Sequence, residues 1–271
     1  LLEKIYKEFG KILDENDGIT QDALRDEDLR NCAKEYISKC RLRTLKYIPH
    51  EGDSIIDLGS GPIQYPEYLQ FSSNYKKRYC IDLSQKALEQ AKKKLGEHGE
   101  YLHGSFFELD LPKNSFDCAI SLHCIYHMEQ NKQEEAICKL ISLVKPGKPL
   151  VIVYSNPFSL EQVIIRPTKF FIKLFTNFVD HIKNLILQKR PKPKRKFYFK
   201  PNSLFWWRRF NKLAVVRIKP WRTFSAKMQK ILIPDNKVGK QLFKLLFLLE
   251  EKFPSLFVFL GTYPIIIITK K

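Results

Sequence analysis

Two clusters of residues in this chain have types and spacings that suit chemistry. The first runs Ile55-Ile56-Asp57-Leu58-Gly59-Ser60-Gly61-Pro62-Ile63 and is answered further on by Tyr79-Cys80-Ile81-Asp82. Ile55 and Ile56 are β-branched and apolar, as at the end of a buried strand. Gly-x-Gly then lets the backbone turn sharply and approach a ligand closely. Asp82 lies 21 positions beyond Gly61, close to the spacing of about 20 for an acid that grips a ribose hydroxyl pair. Alone, Gly-x-Gly is an ordinary tight turn; a strand before it and an acid-tipped strand after it point to a nucleoside site. The second cluster is Ser121-Leu122-His123-Cys124-Ile125-Tyr126-His127. His123 and His127 share a face if a helix begins there. Either is a candidate general base. Their spacing also suits a metal pair, but no nearby carboxylate completes a ligand set, and no metal is expected.

The elements that must position these groups alternate between strand and helix. Residues 1–50 read as helices, broken by Pro49-His50-Glu51-Gly52 ahead of the first strand. A helix is predicted from Ile63 to Leu69 with Pro66 in an early turn, and another from Ser84 to Leu95 with Ser84 as N-cap. Tyr101 to His103 is a third strand, Phe116 to Leu122 a fourth, and Pro149 to Tyr154 a fifth, with a helix over Glu134 to Val144. Beyond it come an amphipathic basic helix over Thr168 to Gln188 and an exposed Lys/Arg/Pro run from Lys189 to Lys196. A helix start at Pro201 to Trp207, a sixth strand at Leu213 to Ile218, a helix over Gln241 to Phe253 and a doubly buried seventh strand at Thr262 to Thr269 complete the chain. Alternating strands and helices predict a parallel sheet covered on both faces.

Four segments together resemble the class I S-adenosylmethionine-dependent methyltransferases. Asp57-Leu58-Gly59-Ser60-Gly61 is similar to that family's first motif, and Asp82 to the acidic end of its second strand. Gly104 to Asp117 matches the stretch before its fourth strand, and Leu143-Val144-Lys145-Pro146-Gly147 the turn before its fifth. They fall in family order over roughly residues 30 to 155. The resemblance implies a Rossmann-like seven-stranded sheet, mostly parallel with its last strand antiparallel, with helices on both faces. It implies S-adenosylmethionine as cofactor and S-adenosylhomocysteine as product, held by Asp57, Gly59, Ser60, Gly61, Ile63, Asp82, Leu83, Ser105, Phe106 and Ser121. In such proteins an N-terminal element lies over the cofactor, where Arg30 or Tyr36 could reach its carboxylate. A histidine at the His127 position mainly packs and hydrogen-bonds near the cofactor, which leaves His123 as the alternative base. Two residues depart from the pattern. Ile63 stands in place of a third glycine and would need a wider turn, and Ser105 replaces the acid that meets the adenine amino group. The organisation implied is one domain: a helical cover over 1–50, a cofactor-binding core over 51–157, a basic aromatic lid over 158–210 between strands five and six, and closing elements over 211–271.

Composition bounds the partners. The 271 residues suffice for one large α/β domain. No uncharged apolar run reaches the ~18 residues of a membrane-spanning helix, and no secretory leader is expected. Six cysteines without a C-x-x-C pair read as reduced core thiols of a cytoplasmic protein. From Arg166 to Lys230 stand 19 Lys and Arg and a single acid, Asp180, a net +18 that equals the charge of the whole chain. Such a segment suits an anionic small-molecule acceptor, a weak peripheral attachment to an anionic membrane, or nucleic acid, in that order. No Asn/Asp-Pro-Pro-Tyr-like tetrapeptide follows strand four, which argues against methylation of a base or glutamine nitrogen. The reading is O-methylation of a small molecule, a saccharide or a lipid-linked intermediate. The alternatives are an RNA methyltransferase and a non-catalytic cofactor-binding module.

Overall fold

The computed structural model describes residues 27–164 and 198–271. The predicted helix over 168–188 and the basic run 189–196 lie outside them, as do residues 1–26. Seven strands form one sheet: β1 (Gly52–Leu58), β2 (Tyr75–Asp82), β3 (Gly99–His103), β4 (Cys118–Leu122), β5 (Pro149–Val153), β6 (Ala214–Arg222) and β7 (Tyr263–Lys270). Their order is β3-β2-β1-β4-β5-β7-β6. The first five pair in parallel, and β7 runs antiparallel between β5 and β6. This is the Rossmann-like methyltransferase sheet. Its order reverses between β1 and β4, the switch point where open α/β sheets take ligands at their carboxyl ends.

The helices follow from the pattern, with shifts that have local causes. Helix α1 (Lys34–Leu42) precedes the sheet. After β1 the helix α2 spans only Pro66–Leu69, three residues later than expected. Tyr65 is extended (φ −120°, ψ 142°) because a residue before proline is pushed out of the helical region, so Pro66 becomes the first helical residue. Helix α3 (Gln85–Leu95) is capped by Ser84, whose hydroxyl accepts from the Ala87 N–H at 3.2 Å. Helix α4 (Gln130–Leu143) begins four residues before the apolar pattern suggests. On the C-terminal side α5 (Ala226–Leu232), α6 (Lys237–Lys252) and α7 (Pro254–Leu260) precede β7. Helix α6 starts ahead of its apolar stripe because the Asn236 side chain caps it, accepting from Gly239 N–H at 3.0 Å. The run Leu204–Lys212 is a 3₁₀ helix that drives Trp207 and Phe210 into the core.

The parallel strands are apolar on both faces. Ile56, Ala119, Leu150, Ile152, Ile266 and Ile268 belong to one core with α4; Ile55, Cys118, Ile120, Val151, Ile265 and Ile267 belong to the other. One charged pair interrupts this packing. Asp57 accepts from Arg78 Nη2 at 2.5 Å and Nε at 3.2 Å, and Arg78 Nη1 donates to the Tyr68 carbonyl at 2.6 Å. Both side chains are almost wholly buried. Removing one member strands the other charge, at a cost of about 3–5 kcal/mol. Arg78→Leu is therefore expected to lose about that much in denaturant unfolding, and Asp57→Asn in the same chain should recover part of it.

Candidate active site

The turn after β1 is built on left-handed backbone. Gly59 and Gly61 have φ of 70° and 57°, and Ile63 follows at 50°. A β-branched residue there is unusual and strained. Ile63 thus takes up a glycine-like conformation itself instead of widening the turn. Its side chain is buried with Cys80, Leu88 and Ala91, which offsets the strain. At Gly59 an added Cβ would run into the Cys124 side chain, so the turn must pass bare backbone beneath the residue following His123.

Asp82 ends β2 facing this turn. Its Oδ2 accepts from the Gly61 N–H and its Oδ1 from the Ser84 N–H, each at 2.9 Å. Burial raises its pKa, opposed by those backbone donors. Each carboxylate oxygen keeps capacity for a further donor. Asp82 also lines a cleft of about 400 Å³ with Gly59, Leu83, Ser105, Phe106, His127 and Met128. The cleft is mostly apolar with a few fixed polar groups, as small-molecule sites are. Lys139 shapes one wall by donating to the Phe106 and Leu109 carbonyls, each at 2.7 Å.

Of the residues singled out in sequence, Gly59, Asp82, Leu83, Ser105, Phe106 and His127 meet at this cleft. Asp57 does not reach it, because its carboxylate is committed to Arg78. Ser121 is buried and donates to the Leu58 carbonyl at 3.0 Å, bracing β1 against β4. Ser60, Gly61 and Ile63 form the turn behind the cleft wall. Arg30 and Tyr36 lie elsewhere: Arg30 pairs with Asp28, and the Tyr36 hydroxyl donates to Glu250 at 2.7 Å. Cys124, Met128, Glu129 and Lys132 line the cleft without having been singled out; they follow a strand end with no motif of their own.

The two histidines do not share a helix face. His123 has φ 58°, which turns the chain before the short 3₁₀ helix Ile125–His127 begins. Tyr126 stands between them, its ring 6.3 Å from His123 and 4.6 Å from His127. His127 Nδ1 lies 2.9 Å from the Tyr198 carbonyl. A carbonyl only accepts, so that nitrogen carries the proton and Nε2 holds the lone pair in the neutral ring. His123 Nδ1 lies 2.9 Å from the Tyr126 hydroxyl. Burial pushes its pKa down to about 3, aided by the positive charges of Arg222 and Arg41. So weak a base holds no proton near neutrality, and His123 is poorly matched to general-base work. Among the described residues no group of His, Cys, Asp and Glu could hold a metal ion.

Residues 56–152 match the sequence profile of a family described as "Methyltransferase domain". That stretch of the chain is similar to a methyltransferase domain. The chain is 31% identical over 104 residues to an uncharacterized methyltransferase of Anoxybacillus flavithermus, covering 38% of this chain and 48% of the relative. It is 30% identical over 73 residues to one of a Geobacillus species, covering 27% and 34%. The match thus spans less than half the length of either curated relative. An N-methyltransferase from Bradyrhizobium japonicum, solved with S-adenosyl-L-homocysteine, superposes with a TM-score of 0.56 at 11% identity, covering 98% of this chain and 97% of that one. A methyltransferase from Archaeoglobus fulgidus superposes at 0.54 with 17% identity over 88% and 94% of the two chains. At such identities these likenesses bear on the fold.

The stability of the fold should carry a pH signature of His123. A neutral ring held at a depressed pKa must take up a proton on unfolding, so its share of stability is present above the ordinary histidine pKa of about 6.5 and is lost as pH falls toward 3. His123→Asn, a residue that tolerates positive φ, should flatten the fall in stability between those values. Denaturant midpoints measured across that range test this; parallel curves for the two proteins would refute it.

Proposed function

We propose that this chain transfers a methyl group from S-adenosylmethionine to a hydroxyl of a small-molecule acceptor, a saccharide or lipid-linked intermediate. The observation that carries the reading is Asp82, a carboxylate fixed by two backbone donors at the rim of an apolar cleft beneath a bare glycine turn. That combination fits an adenosine with a methionine tail. Asp82 would take the ribose hydroxyls, Leu83, Phe106 and Met128 would wall the adenine, and the Gly59 turn would leave space for the amino-acid portion. Ser105 presents no charge at the adenine side, so apolar walls and backbone carry more of the contact there. The cofactor, when bound, supplies a methyl already activated by its sulfonium; the chain's own task is to position the acceptor and exclude water.

His127, on the cleft with its tautomer held by the Tyr198 carbonyl, acts on the cofactor side. His123 serves the acceptor as a neutral ring, held in place by edge-on contacts with Trp221 and Tyr263 at 4.8 and 5.2 Å. The acceptor proton then leaves to solvent or to a stronger base than His123.

Weak attachment to an anionic membrane has separate support. Helix α6 exposes Val238, Leu242, Leu245 and Leu248 to solvent beside Lys237, Lys240 and Lys244, and α7 adds Leu256 and Phe259. An apolar stripe flanked by lysines suits a lipid interface. No helix among the described residues is long and apolar enough to cross a membrane.

Calorimetry with S-adenosylhomocysteine tests the main reading. The wild type should bind, and Asp82→Ala should lose about 2 kcal/mol or more, the scale of charged hydrogen bonds. Unchanged affinity in that variant would remove the assignment. His127→Ala should also weaken the product. For the membrane, Leu245→Glu should abolish co-sedimentation with vesicles rich in acidic lipid. Wild-type protein that stays in the supernatant would end that reading.

A further inference from the structure

Behind His123 lies a second group of polar side chains that the cleft does not use. The Arg222 guanidinium stands over the rings of Trp221 and Tyr263, 4.9 and 5.1 Å from their centroids. The Arg41 guanidinium stacks on Tyr65, 3.3 Å from the ring centroid. The two arginines converge on Glu27. Arg222 Nη1 donates to its two carboxylate oxygens at 3.1 and 3.3 Å, and Arg41 Nη2 lies 3.5 Å from one of them. Arg41 Nη1 also meets Glu67 at 3.4 Å. The four charges cancel, as burial demands. His123 and the half-buried rings of Tyr65 and Tyr263 connect this group to the acceptor wall.

Pairing is nevertheless incomplete. Arg41 Nε, Arg222 Nε and Trp221 Nε1 are buried and have no hydrogen-bond partner among the described residues. Their residues are 7%, 3% and 1% exposed. Buried donors without acceptors are costly and uncommon, and three in one contacting cluster call for an explanation. All three are donors, and none can accept. The group that satisfies them is rich in oxygen lone pairs. It must also be anionic if it replaces the carboxylate that now lies between the guanidiniums, since the charge balance then stays unchanged. The backbone is braced to hold this geometry. Arg43 Nη1 donates to the Trp221 carbonyl at 2.6 Å, while Glu250 accepts from both the N–H and hydroxyl of Thr223 at 3.0 and 2.6 Å.

We propose that Arg41, Arg222 and Trp221 bind the carboxylate or phosphate of an acidic methyl acceptor, with the Glu27 carboxylate standing in for that anion until the acceptor arrives. The proposal rests on the methyltransferase reading for the word acceptor, and on the geometry above for the anion. It narrows the acceptor class to hydroxyl compounds that also bear an acid group, such as an acidic or phosphorylated saccharide. Oxygens of that group accept from the two Nε–H donors and the indole N–H, while the Trp221, Tyr263 and His123 rings flank the neutral part.

Glucose 6-phosphate and glucuronate carry a phosphate and a carboxylate at the same sugar position, and glucose carries neither. Each is titrated into full-length nitrogen-15-labelled protein while the Trp221 indole N–H resonance, assigned with Trp221→Phe, is followed. At least one of the two acids should shift that resonance saturably, and the tighter of them names the acid group; glucose should not. Glu27→Gln, which removes the competing charge, should tighten the acid about tenfold, and Arg222→Lys, which keeps a charge but lacks Nε, should weaken it about tenfold, the scale of a charged hydrogen bond. S-adenosylhomocysteine affinity is measured on the same samples. Neither acid binding while S-adenosylhomocysteine binds overturns the subsite alone. Equal shifts by glucose, or acid affinities indifferent to Glu27→Gln, overturn it too. Acid binding without any S-adenosylhomocysteine binding overturns the methyltransferase reading and leaves the anion site standing.

Discussion

Arg78 and Asp57 form a charge pair inside an otherwise apolar sheet, and the site depends on it. Asp57 is two residues from Gly59, and Arg78 is four from Asp82. The pair therefore clamps β1 to β2 one turn below the place where one strand ends in bare backbone and the other in a carboxylate. The third bond of Arg78, to the Tyr68 carbonyl, ties α2 to the same point. A buried pair of this kind adds little net stability over apolar packing, but breaking it is expensive. Its effect is to hold the separation between the glycine turn and Asp82, which the Gly61 N–H to Asp82 bond then sets at 2.9 Å.

A second buried acid does similar work on the other side of the sheet. Glu250, on α6, receives Tyr36 from α1, Arg43 from the turn after α1, and Thr223 from the end of β6. Groups from the N-terminal helix and its following turn and from the far end of β6 meet on one carboxylate with no exposure to water. The stretch Trp221-Arg222-Thr223 is fixed as a result, and with it the aromatic wall against His123. The Asp82 cleft and the rings around His123 thus rest on different anchors, one within the parallel half of the sheet and one joining its antiparallel edge to the N-terminal helix.

Methyl transfer asks little of a general base when the methyl is already activated, and the histidines here are consistent with that economy. Burial beside Arg222 and Arg41 keeps His123 neutral, and a neutral aromatic ring can line an acceptor pocket without repelling a cationic sulfonium nearby. His127 is oriented through one nitrogen by a backbone carbonyl, an arrangement that selects a tautomer. The same arginines that depress His123 are the ones whose Nε donors lack partners among the described residues, so the electrostatics of the base candidate and of the proposed anion subsite have one source.

Local patterns were sufficient for much of this protein. Alternating apolar strands and amphipathic helices determined the sheet and its cover, and the Ser84 cap was legible because helix starts are short-range events. Gly59, Gly61 and Asp82 were legible because a turn and an acid at that spacing have few other uses. Other features were decided only by tertiary structure. The partner of Asp57 is Arg78, 21 residues away, and nothing in a motif distinguishes an acid that faces a ligand from one that faces a neighbouring strand. His123 and His127 looked like neighbours on a helix until a positive φ at His123 turned one ring toward Trp221 and Tyr263. Arg41, Arg222 and Glu27 come from opposite ends of the chain, and their charges appeared in the sequence only as part of a basic total. Spacing along the chain encodes turns, caps and strand ends, because those are built from consecutive residues; which charge is paired, and which donor is left over, depends on folding distances that no local pattern carries.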